Sequence, residues 1–165
     1  MDKGWLAITD FYYRKKDYKK ALYYINKAIN IDGENSVYWK KSAKINKALE
    51  NYDEADFAYK QAVDLGNFEL ETWLSWTEVV LQLDDAESAF QILQQGLEFY
   101  PEEAKLWYAV TGVHLLLKKT AKAKISFSKA IKLDLDTLST FKAKFPQFYP
   151  LGWIQDIISE IKRAS

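Results

Sequence analysis

The sequence predicts an all-α chain of stacked antiparallel helix pairs, a helical solenoid, and three observations carry that prediction. Tryptophan recurs every 34 residues, at Trp5, Trp39, Trp73 and Trp107. Small residues keep the same register, with Ala21, Ala55, Ala89 and Ala123 in one column and Ala28, Ala62, Gly96 and Ala130 in another. Residues that end helices fall between these blocks at matching intervals. A fixed period of this kind marks a unit that buries its apolar face only by stacking on its neighbours.

Each unit reads as a helix, a turn and a second helix. With unit starts at Asp2, Ser36, Leu70 and Ala104, the first half places its Trp with apolar residues three to six positions on, as in Trp5, Ile8 and Phe11 or Trp73, Trp76, Val79 and Val80. That spacing lines one face of a helix. The second half carries a large apolar residue between two small ones (Ile25, Tyr59, Leu93 or Phe127 between the columns above). Small residues let two helix axes approach, and the large one fills the space between them. Lys16-Asp17, Glu50-Asn51 and Asp84-Asp85 are the expected turns within units; Asp32-Gly33-Glu34-Asn35, Gly66-Asn67 and Tyr100-Pro101 are those between units. Ser36 is the expected cap of the second unit, and Glu102-Glu103 suits a helix N-terminus.

The expected organisation is four units, 2–35, 36–69, 70–103 and 104–137, then a C-terminal segment, 138–165. Phe141 prolongs the Trp register before Phe145-Pro146-Gln147-Phe148-Tyr149-Pro150 breaks it. A last helix over about 151–163 sets Ile154, Ile157, Ile158 and Ile161 on one face, suited to covering the end of the array or, as the alternative, to docking a partner.

Composition narrows the function. The chain is 48% hydrophobic and 28% charged, as an ordinary folded domain is. Its 23 basic and 23 acidic residues cancel, which argues against nucleic acid or an anionic membrane as the partner of the whole molecule. With no cysteine there is no disulfide, zinc-thiolate site or thiol nucleophile. No signal peptide and no apolar run of membrane-spanning length appears, so the expectation is a cytoplasmic chain or a segment of a longer protein. His114 is the single imidazole; it sits in an apolar column, as a packed histidine does, and no cluster of metal-ligand type accompanies it. No phosphate-binding loop, dinucleotide fingerprint or nucleophile elbow is present. Neither an enzyme nor a bound cofactor is expected.

The Trp, Ala-x₃-large and Ala columns resemble the tetratricopeptide repeat (TPR) family, over Asp2 to about Thr137. The pattern departs at the small eighth position (Thr9, Ala43, Thr77, Thr111), at Asn46 and His114 where a Tyr is usual, and in having the closing Pro only at Pro101. The resemblance implies a right-handed superhelix and a protein-binding module, with the first helices lining a concave groove. Mapped onto this sequence, the groove positions include Lys3, Tyr13, Lys40, Lys44, Lys47, Leu74, Glu78, Lys105 and Tyr108. Lys40, Lys44 and Lys47 form one helical stripe, while Tyr108, Leu115 and Leu116 make an apolar strip in the fourth unit. A groove basic in the middle and apolar at one end suits a peptide with an acidic group or free carboxylate. Against that, Asp10, Lys44 and Glu78 share one repeat position and would neutralise one another as lateral neighbours, and the strip would be lost under residues 145–149. Only two of five family positions for a carboxylate clamp, Lys40 and Lys105, are met, so a chaperone tail is not expected. Self-association, or service as the regulatory segment of a larger enzyme or sensor, are the alternative roles.

Overall fold

The computed structural model describes residues 2–165 as ten α-helices, with no strand among the described residues. The contacts fall into two compact units, one ending at Asp85 and the other running Ala86–Ser165.

The first unit holds α1 (Asp2–Arg14), α2 (Tyr18–Ile31), α3 (Ser36–Ala48), α4 (Tyr52–Asp64) and α5 (Leu70–Gln82). α1 pairs with α2 and α3 with α4, while α2 leans on α3 and α4 on α5. Ala21, Ile25, Ala28, Ala55 and Ala62 are completely buried, so the small columns are where helices meet. Asn35, rather than Ser36, caps α3: its side chain accepts from the Val37 N–H at 3.0 Å and the Tyr38 N–H at 3.4 Å. Ser36 is already the first helical residue.

The second unit holds α6 (Ala86–Phe99), α7 (Ala104–Leu116), α8 (Thr120–Leu133), α9 (Leu138–Lys144) and α10 (Gly152–Ala164). α7 is its centre, packed by α6, α8 and α9, and α10 lies on α8. Glu103 caps α7 by accepting from the Lys105 N–H at 3.2 Å. Ile154 and Ile158 are the buried face of α10, and Trp153 meets Phe127 edge-on at 5.9 Å.

The turns inside the helix pairs share one backbone device. Lys16, Glu50, Asp84 and Lys118 all take positive φ, 57–61°, and they stand 34 residues apart. At each, the following N–H reaches back five residues: Asp17 to Tyr12, Asn51 to Asn46, Asp85 to Val80 and Lys119 to His114, at 2.8–3.1 Å. This is the Schellman closure of a helix end, with charged residues where glycine is commonest. Gly66, at φ 94°, closes α4 by the same pattern, its neighbour Asn67 bonding to Ala62.

The threonines at the small eighth position are accommodated by bonding backwards. Thr9, Thr77 and Thr111 donate their hydroxyls to the carbonyls of Trp5, Trp73 and Trp107 at 2.7–2.9 Å, so none of these hydroxyls is left unsatisfied in the interior. Trp39 and Trp107 donate their indole N–H to Gly33 and Pro101, each six residues back at 2.8 Å, tying the helix to the turn before it.

The Trp column is not uniform. Trp73 is 1% exposed, whereas Trp39 is only half-buried and borders an open groove. Denaturant unfolding of Trp73→Ala is therefore expected to show a loss of about 3–5 kcal/mol, and Trp39→Ala about 1–2 kcal/mol. Equal losses would contradict this difference in packing.

Candidate functional site

Seven of the nine expected groove residues lie in the first unit, on α1, α3 and α5. Four lysines on α3 stand between carboxylates from both sides. Lys41 pairs with Asp10 of α1 at 2.6 Å. Lys40 pairs with Glu69, just before α5, and with Glu71 at 3.5 Å. Lys44 meets Glu71 at 3.1 Å, and Lys47 meets Glu78. The four ammonium groups thus face four carboxylates, and the basic stripe expected from the sequence carries no net charge on this face.

The lateral pairing is staggered. Asp10, Lys44 and Glu78 occupy the same repeat position, yet each finds a partner three or seven residues away from that position on the neighbouring helix. Adjacent first helices are offset by about a turn, which sequence alignment of the units does not reveal. The offset makes the ladder denser, because Glu71 then bridges Lys40 and Lys44.

The charges feel one another. A hydrogen bond from Lys44 holds the Glu71 carboxyl below its ordinary range, with burial opposing. Burial alone would lower the Lys40 ammonium, but Glu69 and Glu71 outweigh it and raise it. Lys47 is lowered, chiefly by burial. Tyr13 joins the same cluster, its ring 5.9 Å from the Lys44 ammonium and 5.4 Å from the ring of Tyr18. Leu74 is half-buried on α5, and Lys3 is exposed on α1.

The two remaining candidates belong to the second unit, and they part company. Lys105 is exposed. Tyr108 is 1% exposed, packed against Phe127 at 5.9 Å and Phe141 at 6.2 Å, with its hydroxyl donating to the Asp134 carbonyl at 2.9 Å. Burial, with the Asp134 charge adding to it, pushes that hydroxyl far up. Tyr108 is thus a core residue and not a groove contact. The apolar strip is largely covered as well: Leu115 is buried and Leu116 is 41% exposed.

Phe145 explains the covering. Its ring lies over Gly112, where a Cβ would overlap the ring carbons. α9 packs on α7, Phe145 follows it, and Phe148 stacks on Phe145 at 6.4 Å. Gly112, at a groove position of the fourth expected repeat, is the sequence signal for this docking. The signal is faint, because a glycine inside a helix reads first as a weakness.

His114 is 7% exposed, 5.0 Å from the Phe90 ring, and its Nδ1 has no hydrogen-bond partner among the described residues. Burial, then the Lys122 and Lys119 charges, lower its pKa from the ordinary 6.5. Among the described residues no group of His, Asp or Glu is placed to hold a metal ion, and no helix is long and apolar enough to cross a membrane.

The unfolded chain binds the His114 proton first, so stability falls as pH drops through 6.5. Thermal unfolding is expected to show a lower midpoint at pH ~5.5 than at pH ~7, and a smaller difference in His114→Gln. An unchanged difference would place the imidazole in water.

The family model described as tetratricopeptide repeat matches residues 3–35 and 37–65 of this chain. No curated protein matches the chain by sequence. Among solved structures, the chain is similar to MamA, with 18% identity, 99% of this chain and 89% of that one covered, and a TM-score of 0.81. A thermophilic TPR protein of Thermus thermophilus shares 19% identity, with 99% and 90% covered and a TM-score of 0.68. YrrB, described as a TPR protein with an unusual peptide-binding site, shares 13%, with 93% and 80% covered and a TM-score of 0.72. At these identities the likeness is one of fold. The tetratricopeptide repeat model thus accounts for the first two helix pairs, and over the rest of the chain the likeness to solved TPR structures is one of fold.

Proposed function

We propose that the chain is a protein-interaction module of four repeats, 2–35, 36–69, 70–103 and 104–137, followed by a C-terminal segment, and that α1, α3 and α5 hold a segment of a partner protein. The observation that carries this reading is the charge ladder. Four partly buried lysines face four carboxylates, of which Glu69 and Glu71 are exposed, and such pairs contribute little to stability, only ~0–1 kcal/mol each. Ordered donors and acceptors of alternating sign are better suited to setting the register of a bound segment.

The ladder also shapes the expected ligand. Because each lysine already has a carboxylate, a free carboxylate gains Lys40 or Lys44 only by displacing Glu71. The face therefore suits a segment of mixed charge better than a purely acidic one, with Tyr13 and Leu74 as its apolar contacts. YrrB, whose description names a peptide-binding site, lends this reading a precedent of fold.

The test is capture of partners from a cell extract by the tagged chain, identified by mass spectrometry. Lys40→Ala, Lys44→Ala and Lys47→Ala combined is expected to lower recovery of the main partner at least about tenfold, equivalent to about 1.4 kcal/mol. Gln95→Lys, on the exposed side of α6, serves as control. Equal recovery by the triple variant would move the site off this face.

A further inference from the structure

The zero net charge of the chain conceals a strong segregation. Residues 50–103 carry fourteen carboxylates against one lysine, and residues 104–144 carry nine lysines against two aspartates. In α8 this becomes a surface: Lys122, Ile125, Lys129 and Lys132 have the spacing of one helical face, and the helix contains no carboxylate. Ile125 is 72% exposed, more than any other large hydrophobic residue among those described. It stands in a shallow depression bordered by Lys124, Lys129 and Lys132. Lys129 pairs with Glu102 at 3.6 Å and Lys124 lies over the Trp153 ring, but the aliphatic side chain of Ile125 stays in water, at a cost in free energy.

The first unit carries the complement. A groove of about 390 Å³ opens between α2, α3 and α4, walled by Leu22, Trp39 and Phe57. Trp39 and Phe57 meet edge-on at 5.7 Å, and Phe57 is 55% exposed. Asp53 and Glu54, both exposed, line the same groove. The groove is thus apolar at its walls and acidic at its edge, while the α8 face is apolar at its centre and basic around it.

We propose that these two surfaces bind each other between copies of this chain, with Ile125 of one copy entering the Trp39–Phe57 groove of the next. Knob and groove are different patches, so the contact is heterologous: each copy offers one of each, and the assembly grows head to tail into a ring or an open row. A nucleic acid would use the lysines of α8, but it gives Ile125 no apolar seat and leaves the acidic groove unexplained. A second copy satisfies both charge and apolar surface. The surfaces used are separate from the α1–α3–α5 ladder, so this assembly stands or falls independently of partner binding.

The test is sedimentation or light scattering of the purified chain across concentration and salt. The mass is expected to rise with concentration at about 50 mM salt, and the apparent Kd to weaken at least about tenfold at about 500 mM. Ile125→Asp and the pair Asp53→Lys/Glu54→Lys change exposed side chains only, and each is expected to give a monomer. Mixed together, the two variants are expected to form a 1:1 dimer, since one keeps the groove and the other the knob. A wild type that stays monomeric, an Ile125→Asp chain that still assembles, or a mixture that stays monomeric would each overturn the proposal. So would a monomer that an immobilised polyanion retains through Lys122, Lys129 and Lys132, which would assign the α8 face to nucleic acid.

Discussion

Two helix axes approach closely only where the side chains between them are small, and this constraint organises the rest of the chain. Ala21, Ala55, Ala89 and Ala123 are wholly buried, each one turn of sequence pattern away from a large buried residue that fills the remaining space: Ile25, Tyr59, Leu93 and Phe127. The turns serve the same end. Positive φ at Lys16, Glu50, Asp84 and Lys118 reverses the chain within two residues, so the second helix returns at the height where its alanine meets the first. Once that meeting is fixed, the outward faces of the first helices are fixed too, and the lysines of α3 have no choice but to lie between the carboxylates of α1 and α5.

The same regularity makes the departures informative. Where the register ends, α9 is only seven residues long, and Phe145 turns onto Gly112 of α7 instead of continuing the array. The fourth expected repeat therefore gives Gly112 to the chain's own C-terminal segment and Tyr108 to the core, while Lys105 stays exposed. Under the proposed function, partner contacts fall to the first unit.

Much of this is legible in the sequence. The periodic Ala columns predict helix pairs because they record a close approach that recurs in each unit, while the Trp column keeps its register but not its degree of burial. The cap of α3 falls at Asn35, one residue before the expected Ser36, since Asn and Ser are both good caps and only the backbone decides. The neutral ladder follows from the sequence in kind and differs in detail, because lateral pairing depends on the stagger between neighbouring helices, which no single repeat encodes. Tyr108 misleads because its ring packs on Phe127 and Phe141 and its hydroxyl reaches the Asp134 carbonyl, contacts that its place in the repeat does not reveal. The charge segregation between residues 50–103 and 104–144 is present in the sequence and invisible in the total.

The most direct measurement is the stability of single alanine-to-leucine variants at the meeting points. Ala55→Leu and Ala123→Leu add volume where both residues are fully buried, whereas Ala48→Leu adds it on an exposed surface. Denaturant unfolding is expected to show losses of about 1–3 kcal/mol or more for the first two and less than about 0.5 kcal/mol for the third. If Ala55→Leu and Ala123→Leu unfold at the same denaturant concentration as the parent chain, close approach at the small columns is not what holds the helix pairs together.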